Sequence, residues 1–107
     1  MNEEKVTKIK NGKTYVAVII SPEFGAGFVT WNDEVSPFEP KVVKMILNGK
    51  IDEITKEWCK KNLGLDVYVP MSQDFEVVWV EKGQRFSINA YDGSESLYIE
   101  DELKYKA

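Results

Sequence analysis

The chain predicts an α+β protein: a mainly antiparallel sheet of five or six strands with two consecutive helices on one face. Three observations predict it. Apolar runs of strand length occupy both ends of the sequence. Two segments with helical spacing lie together between them, instead of alternating with strands as βαβ units would. The dipeptides Asn11-Gly12, Lys82-Gly83 and Asp92-Gly93 join neighbouring strand segments in the way antiparallel neighbours are joined.

Val6 to Ile9 and Thr14 to Ile20 form a hairpin about Asn11-Gly12, a pair suited to a type I′ turn. The run Tyr15-Val16-Ala17-Val18-Ile19-Ile20 is apolar throughout, as a central strand covered on both faces is. Ser21-Pro22 ends it. Residues 23–37 have no clean period, and a loop of that length is functional or partly structured. Val29 to Trp31 is a candidate short strand within it.

The first helix opens at Ser36-Pro37-Phe38-Glu39, which has the form of a capping box, although Pro40 would move the start to Glu39. Val42, Val43, Ile46 and Leu47 give it one apolar face, and Asn48-Gly49 stops it. The second helix takes Asp52 as N-cap, turns Ile54, Trp58, Cys59 and Leu63 inward and ends at Gly64. Lys56, Lys60 and Lys61 in its later turns suit the helix dipole.

The remainder reads as β. Val67-Tyr68-Val69 is a short strand closed by Pro70, followed by strands at Phe75 to Glu81, Arg85 to Tyr91 and Ser96 to Glu100. Along the Arg85 strand, Phe86, Ile88 and Ala90 take one face, while Arg85, Ser87, Asn89 and Tyr91 take the other. The charged tail Asp101 to Ala107 is expected to fray.

Composition narrows the function. A chain of 107 residues with 43% hydrophobic content reads as one domain, 1–107, able to bury a core without disulfides or metal. No apolar run has the roughly 18 residues of a membrane span, and Met1 to Lys5 lacks the apolar stretch of a signal peptide. An intracellular protein is expected, in keeping with the single Cys59. A net charge of −4 argues against a general nucleic-acid surface. The chain has 0 histidines, which removes Ser-His-Asp and Cys-His machinery and His-ligated zinc. No Asp-x-Asp-x-Asp-Gly loop is present for calcium. The expectation is a protein that is not an enzyme and carries no cofactor or metal.

Three constellations could bind a ligand. Gly25-Ala26-Gly27 joins backbone freedom to Phe28, Trp31 and Asn32, groups that stack or hydrogen-bond. The polar strand face Arg85, Ser87, Asn89 and Tyr91 offers a guanidinium, a hydroxyl, an amide and a phenol, a set suited to a phosphorylated or ribose-bearing molecule. Arg85 is the only arginine among 14 basic residues. The same face would equally suit the solvent side of an antiparallel sheet. Tyr91-Asp92-Gly93-Ser94-Glu95-Ser96 is first of all a turn, with Asp92 and Glu95 as a candidate carboxylate pair.

Gly25 to Asn32, Ser36 to Gly49, Phe75 to Gly83 and Arg85 to Ser96 resemble a family of small uncharacterised proteins encoded by bacteriophages and prophages. The chain departs from that pattern at Phe28, where tryptophan is expected, and at Asn89-Ala90, where a more acidic pair is expected. The resemblance carries an origin and no catalytic residues. It implies action in the cytoplasm of a bacterial host by binding that blocks host defence. One route sequesters a nucleotide-derived signalling molecule, with Gly25, Ala26, Gly27, Phe28, Trp31, Asn32, Arg85, Asn89 and Tyr91 as the ligand-binding set. The other blocks a host defence protein directly, in the manner of an anti-CRISPR or a nucleic-acid mimic, with Asp33, Glu34, Asp52, Glu53, Asp101 and Glu102 as its acidic surface. A homodimer is expected, since two copies would enclose a ligand better than one and the aromatics exceed what two short helices cover; a monomeric core could also absorb them.

Overall fold

The computed structural model describes residues 5–21, 28–30, 32, 34–67, 69, 75–91, 94–99 and 105–107. Among them the order of elements is β1 (Thr7–Lys10), β2 (Lys13–Ile20), α1 (Pro40–Leu47), a 3₁₀ turn (Ile51–Glu53), α2 (Lys56–Leu63), β3 (Glu76–Glu81), β4 (Arg85–Tyr91), β5 (Ser94–Ile99) and β6 (Tyr105–Lys106). The class is α+β, as expected. The expected single sheet is replaced by two three-stranded antiparallel sheets, ordered β1-β2-β3 and β5-β4-β6.

The reason lies in β2. Its residues Val16 to Ile20 are buried on both faces, and two eight-residue helices can cover only one. Ala17 and Ile19 face α1 and α2, packing with Val42, Val43, Ile54 and Cys59. Val16 and Val18 face the other way, with Val80, against Phe86 of the second sheet. The β3–β4 turn carries the chain between the sheets: Gln84 N donates to Glu81 O at 3.0 Å and Gly83 takes φ 90°. β3 then pairs with β2, and β4 with β5 and β6. The result is three layers: helices, first sheet, second sheet.

Asn11 and Gly12 take φ 53° and 78°, the two positive values a type I′ turn needs, and set the register Lys10↔Lys13. The helix starts differ from expectation. No capping box forms at Ser36; its Oγ accepts from Phe38 N two residues on, and α1 begins at Pro40. A proline three residues inside a helix would clash with the preceding turn, whereas at the first position its missing N–H costs nothing. Phe38 is thereby freed from the helix and inserts between the sheets, edge-on to Phe86 at 5.8 Å. Leu47, expected on the apolar face, is 50% exposed, and Met45 packs on the core in its place.

Asp52 lies in the 3₁₀ turn, and α2 is capped by Thr55, whose Oγ1 accepts from Trp58 N at 3.1 Å. Gly64 closes α2 in the left-handed conformation at φ 70°. Val67 is buried and neither it nor Val69 lies in a strand, and Val29 and Thr30 lie in a turn; Tyr68, Pro70 and Trp31 of those two segments lie outside the described residues. The expected fraying does not apply to the last three residues. Tyr105 and Lys106 pair with Phe86 and Arg85, and Ala107 is buried, exchanging main-chain hydrogen bonds with Gly83 and Gln84.

Cys59 is fully buried in the helix–sheet core, and that burial pushes its thiol up from the ordinary value. Thiol reagents are expected to attack the folded protein at least about a hundredfold more slowly than the urea-unfolded chain. Because the folded pKa is the higher one, stability is unaffected below the unfolded thiol pKa and falls as pH rises toward the folded value, the unfolded chain alone releasing the proton. A disulfide-exchange reagent followed by absorbance reads both; equal rates in folded and unfolded protein would mean that α2 opens.

Candidate binding cleft

The second sheet meets the loop after β2 through one side chain that the sequence left in a turn. Glu95 is the second residue of β5 and 1% exposed. It shares a face with Leu97 and so points inward, opposite Ala90 of β4. Its Oε1 accepts from Ser21 N at 2.8 Å. Its Oε2 accepts from Phe28 N at 3.0 Å, Thr30 N at 2.7 Å and Thr30 Oγ1 at 2.7 Å. Glu95 N in turn donates to Ser21 O at 2.9 Å. Three backbone amides and a hydroxyl thus converge on one carboxylate, the arrangement by which an irregular chain segment satisfies a buried charge. β5 begins at Ser94, two residues before the expected start, and that puts Glu95 in register with the half-buried Leu97 two residues on.

Beside this junction a cleft of about 430 Å³ runs along β4. Ser87, Ile88, Asn89 and Ala90 of β4 line it together with Val29, Thr30 and Val35 of the segment after β2 and Tyr105 of β6. β6 pairs only with Arg85 and Phe86, which leaves the β4 edge beyond Phe86 facing the cleft among the described residues. The volume falls in the range of small-molecule sites. The lining supplies the Asn89 amide and three hydroxyls, those of Thr30, Ser87 and the phenol Tyr105, and no charged side chain among the described residues.

The expected ligand-binding residues divide. Asn89 is exposed and lines the cleft. Arg85 is exposed at the start of β4, opposite Lys106, and is not part of the cleft wall. Tyr91 ends β4 opposite Ser94. Phe28 lies in the core: it is fully buried, its ring edge-on to Phe75 at 4.9 Å. An aromatic flanked by amides tied to Glu95 is drawn inward with them. Asn32 acts locally, its Nδ2 donating to Phe28 O at 2.9 Å. Gly25, Ala26, Gly27 and Trp31 lie outside the described residues. Of the acidic surface, Glu34, Asp52 and Glu53 are exposed, while Asp33, Asp101 and Glu102 lie outside the described residues.

Fold and site together define a three-layer α+β protein with a neutral polar cleft at the edge of its second sheet. Comparison of the chain with protein-family models, with curated proteins and with solved structures finds no match. No helix among the described residues is long and apolar enough to cross a membrane.

Proposed function

We propose that this is a phage-encoded binding protein, not an enzyme, that counters a host defence by holding a nucleotide-derived molecule in the β4 cleft. The observation that carries the reading is the cleft itself, lined by Asn89, Ser87 and Thr30, with Thr30 fixed by Glu95. A preorganised wall of neutral donors and acceptors suits the edge of a nucleobase, and Tyr105 offers a ring beside it. Arg85 lies four residues from Asn89 on the same strand face, roughly 13 Å away at the rise of a β-strand. A ligand with its base at Asn89 would therefore meet Arg85 only if its phosphates extend that far, which favours dinucleotides and ADP-ribose-like molecules over mononucleotides.

Calorimetry with a panel of cyclic nucleotides, cyclic dinucleotides and ADP-ribose derivatives tests this. Saturable binding is expected, weakened about tenfold by Asn89→Ala, the scale of one lost hydrogen bond in a desolvated site. Arg85→Ala should weaken the extended ligands and leave mononucleotides unchanged. No saturable binding across the panel would overturn the reading. The homodimer stays a proposal of the same kind, with the β5 edge, where Tyr98 is 54% and Ile99 52% exposed, as its candidate face; light scattering reads it directly.

A further inference from the structure

The end of the molecule formed by the β1–β2 hairpin, the β3–β4 turn and β6 is basic. Lys82 N donates to Thr14 O at 2.9 Å, and Lys5 Nζ donates to Lys106 O at 3.1 Å, so these segments meet. They bring together Lys8, Lys10, Lys13, Lys82, Arg85 and Lys106 beside Lys5. Glu81, 3.9 Å from Lys13 Nζ across an exposed pair, is the one carboxylate of these segments among the described residues.

Two features make this more than scattered surface charge. Lys10 pairs directly with Lys13, and Arg85 with Lys106, so two cross-strand positions hold like charges, an arrangement that works against folding. Edge lysines by themselves protect a strand from unwanted pairing. Here, however, Ile9 stands between Lys8 and Lys10 with 76% of its surface exposed, which protection does not call for. Among the described residues β1 is the edge of its sheet, and each of its four residues is exposed.

We propose that the free edge of β1 docks an extended acidic segment of a partner protein, one that alternates carboxylates with apolar residues. Added as a fourth strand, such a segment pairs its main chain with β1. Its carboxylates meet Lys8 and Lys10 on one face, and its apolar residues cover Ile9 on the other, as the alternation of β1 dictates. Charge complementarity selects the partner, and relief of the Lys10–Lys13 repulsion adds to it. A lipid surface would leave the main-chain groups of the β1 edge unpaired. A single-stranded nucleic acid would look for exposed aromatic rings; the rings near this end, Tyr15, Trp79 and Tyr105, are half-buried, and Trp79 is covered by Lys8 Nζ at 4.4 Å.

Fluorescence anisotropy with a labelled peptide of alternating glutamate and valine is the direct test, run beside single-stranded DNA and anionic lipid vesicles. Glu3, Glu4, Glu100, Asp101 and Glu102 lie outside the described residues, so the salt dependence reads the net field of the whole chain. Saturable peptide binding is expected, falling at least about tenfold between roughly 50 and 300 mM NaCl as screening increases. Lys10→Glu should abolish it while leaving the melting temperature unchanged or higher, because the new carboxylate faces Lys13. Ile9→Thr should weaken it about threefold with the strand intact. Absence of peptide binding, binding unaltered by Lys10→Glu, or preference for DNA or vesicles would each overturn the proposal. Since the β4 cleft contains neither Lys10 nor Ile9, these outcomes are independent of the nucleotide reading.

Discussion

Glu95→Ala is expected to lower folding stability by about 4 kcal/mol, the cost of stranding several buried donors that had shared one charged acceptor. The variant loses the acceptor for Ser21 N, Phe28 N, Thr30 N and Thr30 Oγ1 at once. For a chain of this size that corresponds to a fall in melting temperature of roughly 15 °C or more. Glu95→Gln should cost less, about 2 to 3 kcal/mol, because one carbonyl oxygen remains while the new NH₂ opposes a backbone N–H. Formate should partly restore the alanine variant, raising its melting temperature with concentration by mass action, and should leave the parent protein unchanged. Urea titration and thermal melts measure all three. A loss below about 1 kcal/mol in the alanine variant would mean that water replaces the carboxylate freely and that Glu95 does not fix the loop. Because Thr30 lines the cleft, the same substitution should also weaken any ligand held there.

Phe28→Ala is expected to cost about 3 to 5 kcal/mol, the range for emptying a fully buried aromatic site. The ring is fully buried and edge-on to Phe75, and the backbone around it is tied to Glu95, so the site cannot collapse easily to fill the space. Phe28→Leu, which keeps much of the volume, should cost less than half as much. Denaturant midpoints at unchanged m-value decide the matter. A loss near that of an exposed residue, with ligand binding abolished, would return Phe28 to the role of a ligand contact. The Phe28 and Glu95 variants should not be additive, since each disturbs the same loop.

Where local chemistry suffices, the sequence was legible. Asn11-Gly12 dictates a type I′ hairpin because its two residues accept positive φ, and the hairpin is there. The unbroken apolar run of β2 required cover on both faces, and both faces are covered. The alternation of β4 placed Phe86, Ile88 and Ala90 on one face and Arg85, Ser87 and Asn89 on the other; Phe86 and Ile88 pack inward and Arg85 and Asn89 are exposed, while Ala90, near the end of the strand, is exposed as well. Gly64 ends α2 and Asn48-Gly49 ends α1 for the same kind of local reason.

What covers the second face of β2 was not legible. A tight turn such as Lys82-Gly83 is compatible with a hairpin within one sheet and with a step between two, since both satisfy the turn residues equally. The choice was made by the apolar surface of Phe86, Ile88, Leu97 and Tyr105, which is buried only when the second sheet stacks on the first. The site followed the same rule. Arg85 and Asn89 share a strand face in sequence, yet only Asn89 reaches the cleft, because the opposite wall comes from a loop whose position the strand pattern does not contain. That position is set by Glu95. The sequence left Glu95 in a turn; only the folded chain placed it in β5 and brought Ser21, Phe28 and Thr30, at least 65 residues away, to its oxygens, because a buried carboxylate persists only where donors from elsewhere in the fold surround it.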